Sequence, residues 1–288
     1  MAKRIFFGIL CAAGGILMLF LRNTFLMSIA AMVVCFLVTF ELNHAVKLQN
    51  KPIMVISLIV GTAFPLFYQY GDKLSFAWLN FKPAYFITLY ILLLFVLMLC
   101  EFEKTKFQDV ATVIISSLGL PFAVTRLLWF RDVAEYFPER GYNTYHGLFL
   151  VMLAMFSAWI TDASAYFAGS FFGKHKMCPN ISPKKTIEGA VGGIVGAVIS
   201  NVILYAVFDN LVFENPAHNY VGIILLSVAL AVIGMCGDLS ASVVKRNFGI
   251  KDFGNLVPGH GGVMDRFDSG VFVFLALYAL FNIFNIAI

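Results

Sequence analysis

Charge is what this chain has least of. Only 12% of its 288 residues are Asp, Glu, Lys or Arg, about half the ~25% of an ordinary soluble domain. With 60% hydrophobic residues and a mean hydropathy of +0.87, a soluble globular fold is excluded. The net charge of +4 is too small and too scattered for a nucleic-acid footprint. The five cysteines, Cys11, Cys35, Cys100, Cys178 and Cys236, show neither CxxC pairing nor zinc-like spacing. A P-loop is missing too, so Walker-type ATP binding is unsupported. Internal repeats and an interrupting soluble domain are equally absent.

What the chain does have is long apolar runs. Nine can be drawn, near 5–21, 24–40, 53–70, 84–100, 110–130, 147–173, 188–208, 220–237 and 269–287. Each is near the ~20 residues that a spanning helix needs. The expectation is an all-α polytopic membrane protein of about nine transmembrane helices. The first run reads as a membrane helix or a signal peptide; without a clear small-residue cleavage site, and with a second span following at once, the helix is preferred. Arg22 and Asn23 alone would join spans one and two in a tight hairpin.

Lys and Arg residues set the orientation. Fourteen fall on the side of the N-terminus and six on the other, which predicts a cytoplasmic N-terminus and an external C-terminus. The halves differ in kind. Residues 1–146, with spans one to five, read as scaffold without a buried acid; His44 and His146 read as interfacial. Residues 147–288, with spans six to nine, carry the chemistry on two basic loops.

The densest polar stretch is Cys236 to Ser269. It holds Asp238, Asp252, Asp265 and Asp268, Lys245, Arg246, Lys251 and Arg266, and the glycines 249, 254, 259, 261 and 262. Carboxylates hold hard cations, Lys and Arg meet phosphate oxygens, and glycine admits close backbone approach. Upstream, Asp162 lies deep in the sixth span, where a carboxylate is costly without a partner. Gly169 and Gly173 share its face with Ala165, so it should point into the bundle, as a structural acid or a functional one. Next comes Ser182-Pro183-Lys184-Lys185-Thr186. Ser182 suits an N-cap and Pro183 a first helical residue, so the seventh helix is expected to start there. With Lys184 and Lys185 that makes an anion site or a topology signal. Gly189, Gly192, Gly193 and Gly196 make the seventh helix a close-packing element.

Three of these segments resemble one family. The run Ser242-x-x-Lys245-Arg246, then Lys251-Asp252, then Pro258-x-His260-Gly261-Gly262-x-x-Asp265-Arg266-x-Asp268 is similar to the signature of the phosphatidate cytidylyltransferases. Asp162-x-x-Ala165-Tyr166 and Ser182-Pro183-Lys184-Lys185-Thr186-x-Glu188-Gly189 match runs that precede it. Two departures stand out: Ser164 where the family usually has Gly, and Ala241 where it usually has Glu.

The resemblance implies a membrane enzyme, in a bacterial-type plasma membrane, that makes CDP-diacylglycerol and pyrophosphate from CTP and phosphatidate. It implies Mg²⁺, as one ion or two, held by Asp238, Asp265 and Asp268, with Asp238 and Asp265 converging on one cation. Lys184 and Lys185 are expected on CTP phosphates, and Lys245, Arg246 and Arg266 on phosphatidate or pyrophosphate. Ser182, Thr186, Asp162 and Lys251 complete the expected substrate-binding set. His260 is expected either to bond a phosphate oxygen or to stabilise its turn. The partners implied are CTP, the lipid and the membrane, without nucleic acid and with a homodimer left open. A CTP-dependent polyprenol or phytol kinase and an ion-coupled transporter are the rival readings; the motif spacing disfavours the first, and the lack of repeated halves the second.

Overall fold

The computed structural model describes residues 24–71, 83–214, 217–256, 261–284 and 286–288. Among the described residues, eight stretches of helix are long and apolar enough to cross a membrane. They are α1 (Phe25–Ala45), α2 (Lys51–Tyr70), α3 (Pro83–Cys100), the composite Phe107–Arg131, α7 (Thr144–Phe172), α8 (Ile187–Leu211), α9 (Tyr220–Asn247) and α10 (Met264–Phe284). The composite joins α4 (Phe107–Ile114) to α5 (Leu120–Arg131) through a π turn at Ile115–Gly119; the short α6 (Val133–Tyr136) follows. These eight coincide with the second to ninth apolar runs of the sequence. The first run, and the Arg22–Asn23 link, lie outside the described residues. The protein is thus a helical polytopic membrane protein. Among the described residues its sheet is one antiparallel hairpin, β1 (Lys176–Cys178) and β2 (Ser182–Thr186).

Two compact units form. One draws on Met1–Leu128 and Ile250–Asp265, the other on Trp129–Gly249 and Arg266–Ile288. The signature stretch is therefore divided between them.

In the first unit, polar side chains tie the helices where apolar packing alone would not choose a register. Asn43 donates to Ser57 Oγ at 2.8 Å, Ser116 donates to Asn43 Oδ1 at 3.0 Å, and Thr39 donates to the Ser116 carbonyl at 2.8 Å. The last bond serves a carbonyl of the π turn, whose widened pitch disturbs the i→i−4 ladder. The expectation that this half lacks a buried acid is wrong: Glu41, just past the end of the second apolar run, is only 2% exposed.

In the second unit, α7 and α8 pack along a seam of small residues. Gly189 faces Gly169 and the Ala165 carbonyl, Gly193 faces Thr161 and Ala165, Gly192 faces Ala168, and Gly196 faces Ser164. Asn201 of α8 then bridges Ser157 of α7 (2.8 Å) and Ser227 of α9 (3.1 Å). His146, expected at an interface, is buried at the start of α7, stacked on Phe213 and sharing a capping box with Asn143.

Candidate active site

The second unit brings together residues that stand far apart in the chain. Asp238 and Lys245 lie seven residues apart on α9, two turns along one face. The sequence treats both as loop residues, but the helix runs on to Asn247 and holds them on a rigid element. Lys185 Nζ lies 2.5 Å from Asp238 Oδ2, with both side chains about a quarter exposed. Lys245 Nζ lies 3.7 Å from Asp268 Oδ2. Ser269 donates to Asp162 Oδ2 at 2.9 Å, so Asp162 faces protein. Asp238 is within electrostatic range of both Asp162 and Asp268, and Lys185 and Arg266 are within range of Asp162. Three acids and three bases, from α7, β2, α9 and α10, thus form one network. Asp268 is 8% exposed and Ser269 1%, so the network reaches into the packed interior.

The lysine pair is split by local structure. Residues 182–186 form a strand, and the expected helix start at Ser182 and Pro183 is wrong. Lys176 and Cys178 offer a cross-strand partner, and the extended chain pairs with them. The N-cap falls to Thr186, whose side chain accepts from Gly189 N at 3.1 Å. Along a strand, successive side chains point to opposite faces. Lys185 therefore turns to Asp238, while Lys184 is exposed. Ser182 is half-buried in β2, opposite Cys178. Glu188, in the first turn of α8, closes the hairpin: it accepts from Lys174 N (3.1 Å) and His175 N (3.2 Å) and meets His175 Nδ1 (2.6 Å).

Of the other expected residues in this unit, Arg246 is exposed in the last turn of α9, and Arg266 is exposed on α10. The two departures from the family pattern are accommodated by packing. Ser164 lies against Gly196, where any side chain would collide with it, and Ala241 is buried on α9.

The first unit holds the rest of the signature. Asp265 Oδ2 accepts from Phe253 N at 2.9 Å and Gly262 N at 3.0 Å, linking those two residues. Gly261, at φ +85°, takes a backbone conformation that only glycine adopts without strain. Lys251 and Asp252 are exposed. His260 lies outside the described residues. Just beyond Gly262, Glu41 of α1 accepts from Val263 N and Met264 N, both at 2.8 Å.

Among the described residues, no three His, Cys, Asp or Glu side chains gather at one point to ligate a metal. Two polar partners escaped the sequence reading. Ser269 follows directly on the signature, and only its contact to Asp162 marks it. Glu41 sits at the end of an apolar run, where an acid reads as a boundary charge.

The comparisons agree with this picture. Phosphatidate cytidylyltransferase of Bacillus subtilis strain 168 is 43% identical over 151 residues, covering 52% of this chain and 54% of that protein. The Haemophilus influenzae Rd protein of the same name is 43% identical over 128 residues, 44% of each chain. That of Staphylococcus haemolyticus is 42% identical over 127 residues, 44% of this chain and 46% of its own. The chain spans about half the length of the curated relatives it matches. The family profile reaches further, from residue 2 to residue 284, and on that match the chain belongs to the Cytidylyltransferase family.

Proposed function

We propose that this chain is a phosphatidate cytidylyltransferase, joining CTP and phosphatidate to give CDP-diacylglycerol and pyrophosphate. The observation that carries the reading is the Lys185–Asp238 contact, with Asp162 in electrostatic range of both and Asp268 in range of Asp238. Three segments that resemble one family only as separate words are thereby drawn into one polar network in a membrane protein.

In the proposed reaction a phosphate oxygen of the lipid bonds to the α-phosphorus of CTP, and the bond to the β-phosphate oxygen breaks in line. The phosphomonoester is already anionic near neutral pH, so no strong base is needed. The protein's part is positioning and charge neutralisation. Lys185 is suited to a CTP phosphate because Asp238 holds its ammonium in place. Lys245, Arg246 and Arg266 are the cations proposed for the lipid phosphate and pyrophosphate; Lys184 and Lys251 are exposed and suited to longer-range attraction. Ser269 fixes the Asp162 carboxylate, and Thr186 secures the helix start behind Lys185.

The family reading implies a hard divalent cation such as Mg²⁺. The donor chemistry fits. Asp238 and Asp268 supply carboxylate oxygens among acids whose mutual repulsion a cation would relieve, and Asp265 is the further candidate. Mg²⁺ in nucleotide sites takes only one or two carboxylates and completes its shell with phosphates and water. When bound, it would supply charge neutralisation for the triphosphate.

The proposed setting is a bacterial-type inner membrane with the network facing the cytoplasm, in keeping with the distribution of basic residues. The deciding experiment is purified protein in detergent with labelled CTP, phosphatidate and Mg²⁺. Labelled CDP-diacylglycerol is the expected product; transfer of label from the γ-phosphate to a lipid alcohol would overturn the reading.

A further inference from the structure

The first unit contains a carboxylate that neither the signature nor the proposed chemistry uses. Glu41 sits on α1, some 220 residues before the stretch it touches, and its side chain is enclosed. Each of its oxygens has its own donor: Oε1 takes Val263 N and Oε2 takes Met264 N, both at 2.8 Å. Two glycines press on the same carboxylate. A Cβ added at Gly254 would lie 2.6 Å from Oε1, and one at Gly262 2.5 Å from Oε2. Both are closer than real Cβ atoms come, so this position of Glu41 demands glycine at both places.

From this geometry we infer that Glu41 is a positioning residue that anchors Val263 and Met264, within the signature, from outside. Asp265 ties the neighbouring backbone from within by accepting from Phe253 N and Gly262 N. Glu41 then holds the next two N–H groups, 263 and 264, against α1. Asp265 follows Met264 directly, so the placement of Val263 and Met264 matters to any chemistry Asp265 performs. An ionised carboxylate suits the task because it offers acceptors on both oxygens and favours the unpaired N–H groups where α10 begins. An amide would match one N–H and set its NH₂ group against the other.

The catalytic consequence rests on the proposed cytidylyl transfer; the structural one does not. The test therefore has two readouts on full-length protein in lipid nanodiscs. Hydrogen exchange is measured for wild type, Glu41→Gln, Glu41→Ala, Gly262→Ala and the double variant Glu41→Ala/Gly262→Ala. Protection at 262–264 is expected to fall in the three single variants while α7 and α8 stay protected. In the double variant the added Cβ finds the space the carboxylate left, so Gly262→Ala should cause no further loss. In the CTP and phosphatidate assay, Glu41→Gln should lower kcat about a hundredfold with KM for CTP changed little, and Glu41→Asp should recover part of the rate. Unchanged protection at 262–264 in Glu41→Gln, or additive losses in the double variant, would overturn the inference. A wild-type protein that makes no CDP-diacylglycerol but shows the expected exchange pattern would sink the activity and leave the anchor standing.

Discussion

Lys185 of β2 and Asp238 of α9 meet at 2.5 Å, although 53 positions separate them in the sequence. Lys184, the very next residue in the same motif, is exposed. One strand thus gives two identical side chains different surroundings.

That asymmetry should show in binding. Lys185→Ala removes the contact to Asp238 and should weaken CTP binding by about 1–3 kcal/mol, the range for a charged hydrogen bond. Lys184→Ala should change it by less than about 1 kcal/mol, as for an exposed charge. KM for CTP and direct nucleotide titration would check both. Equal losses at the two positions would refute the division.

The carboxylates are expected to separate turnover from folding. Asp238→Asn and Asp268→Asn keep the side-chain shape and lose the charge. Both should insert and melt within a few degrees of wild type in detergent, yet lose CDP-diacylglycerol synthesis at every Mg²⁺ concentration tried. Asp265→Asn differs, because Asp265 also accepts from Phe253 N and Gly262 N. Its amide oxygen can still accept both bonds, so turnover should fall without Phe253 N and Gly262 N opening to hydrogen exchange. A fully active Asp265→Asn protein would remove it from the proposed chemistry.

Packing at Ser164 offers a stability test. A methyl group at Gly196 would strike Ser164, so Gly196→Ala should destabilise by about 1–3 kcal/mol, the usual cost of overpacking. Ser164→Gly costs about 0.5 kcal/mol of helix propensity by itself. Combined with Gly196→Ala it should nonetheless recover melting temperature, because the collision is gone. Additive melting shifts in the double variant would show that the two residues do not meet.

Orientation can be read with reporters. A tag in the β1–β2 turn after Cys178 should be shielded from external labelling in intact cells, whereas one fused after Ile288 should be accessible. Both tags on one side would contradict the basic-residue distribution and the proposed cytoplasmic site.

Much of this protein is written locally. Apolar runs of spanning length mark eight helices among the described residues, because lipid compels each segment to satisfy its own backbone, though α9 runs on ten residues past its apolar run. The small-residue spacing from Gly189 to Gly196 likewise announces a close helix contact. The signature and its two companion motifs name the family, since those residues and gaps are linear. What sequence left open were the choices that depend on a distant partner. Ser182-Pro183 has the chemistry of a helix cap, but Lys176–Cys178 across the turn captures the segment as a strand, and Thr186 takes the cap. That pairing decides which lysine meets Asp238. Glu41 reads as a boundary charge until the backbone N–H groups of Val263 and Met264 are brought to it. Burial of a polar group is settled by whichever donors the fold delivers, and those come from hundreds of residues away.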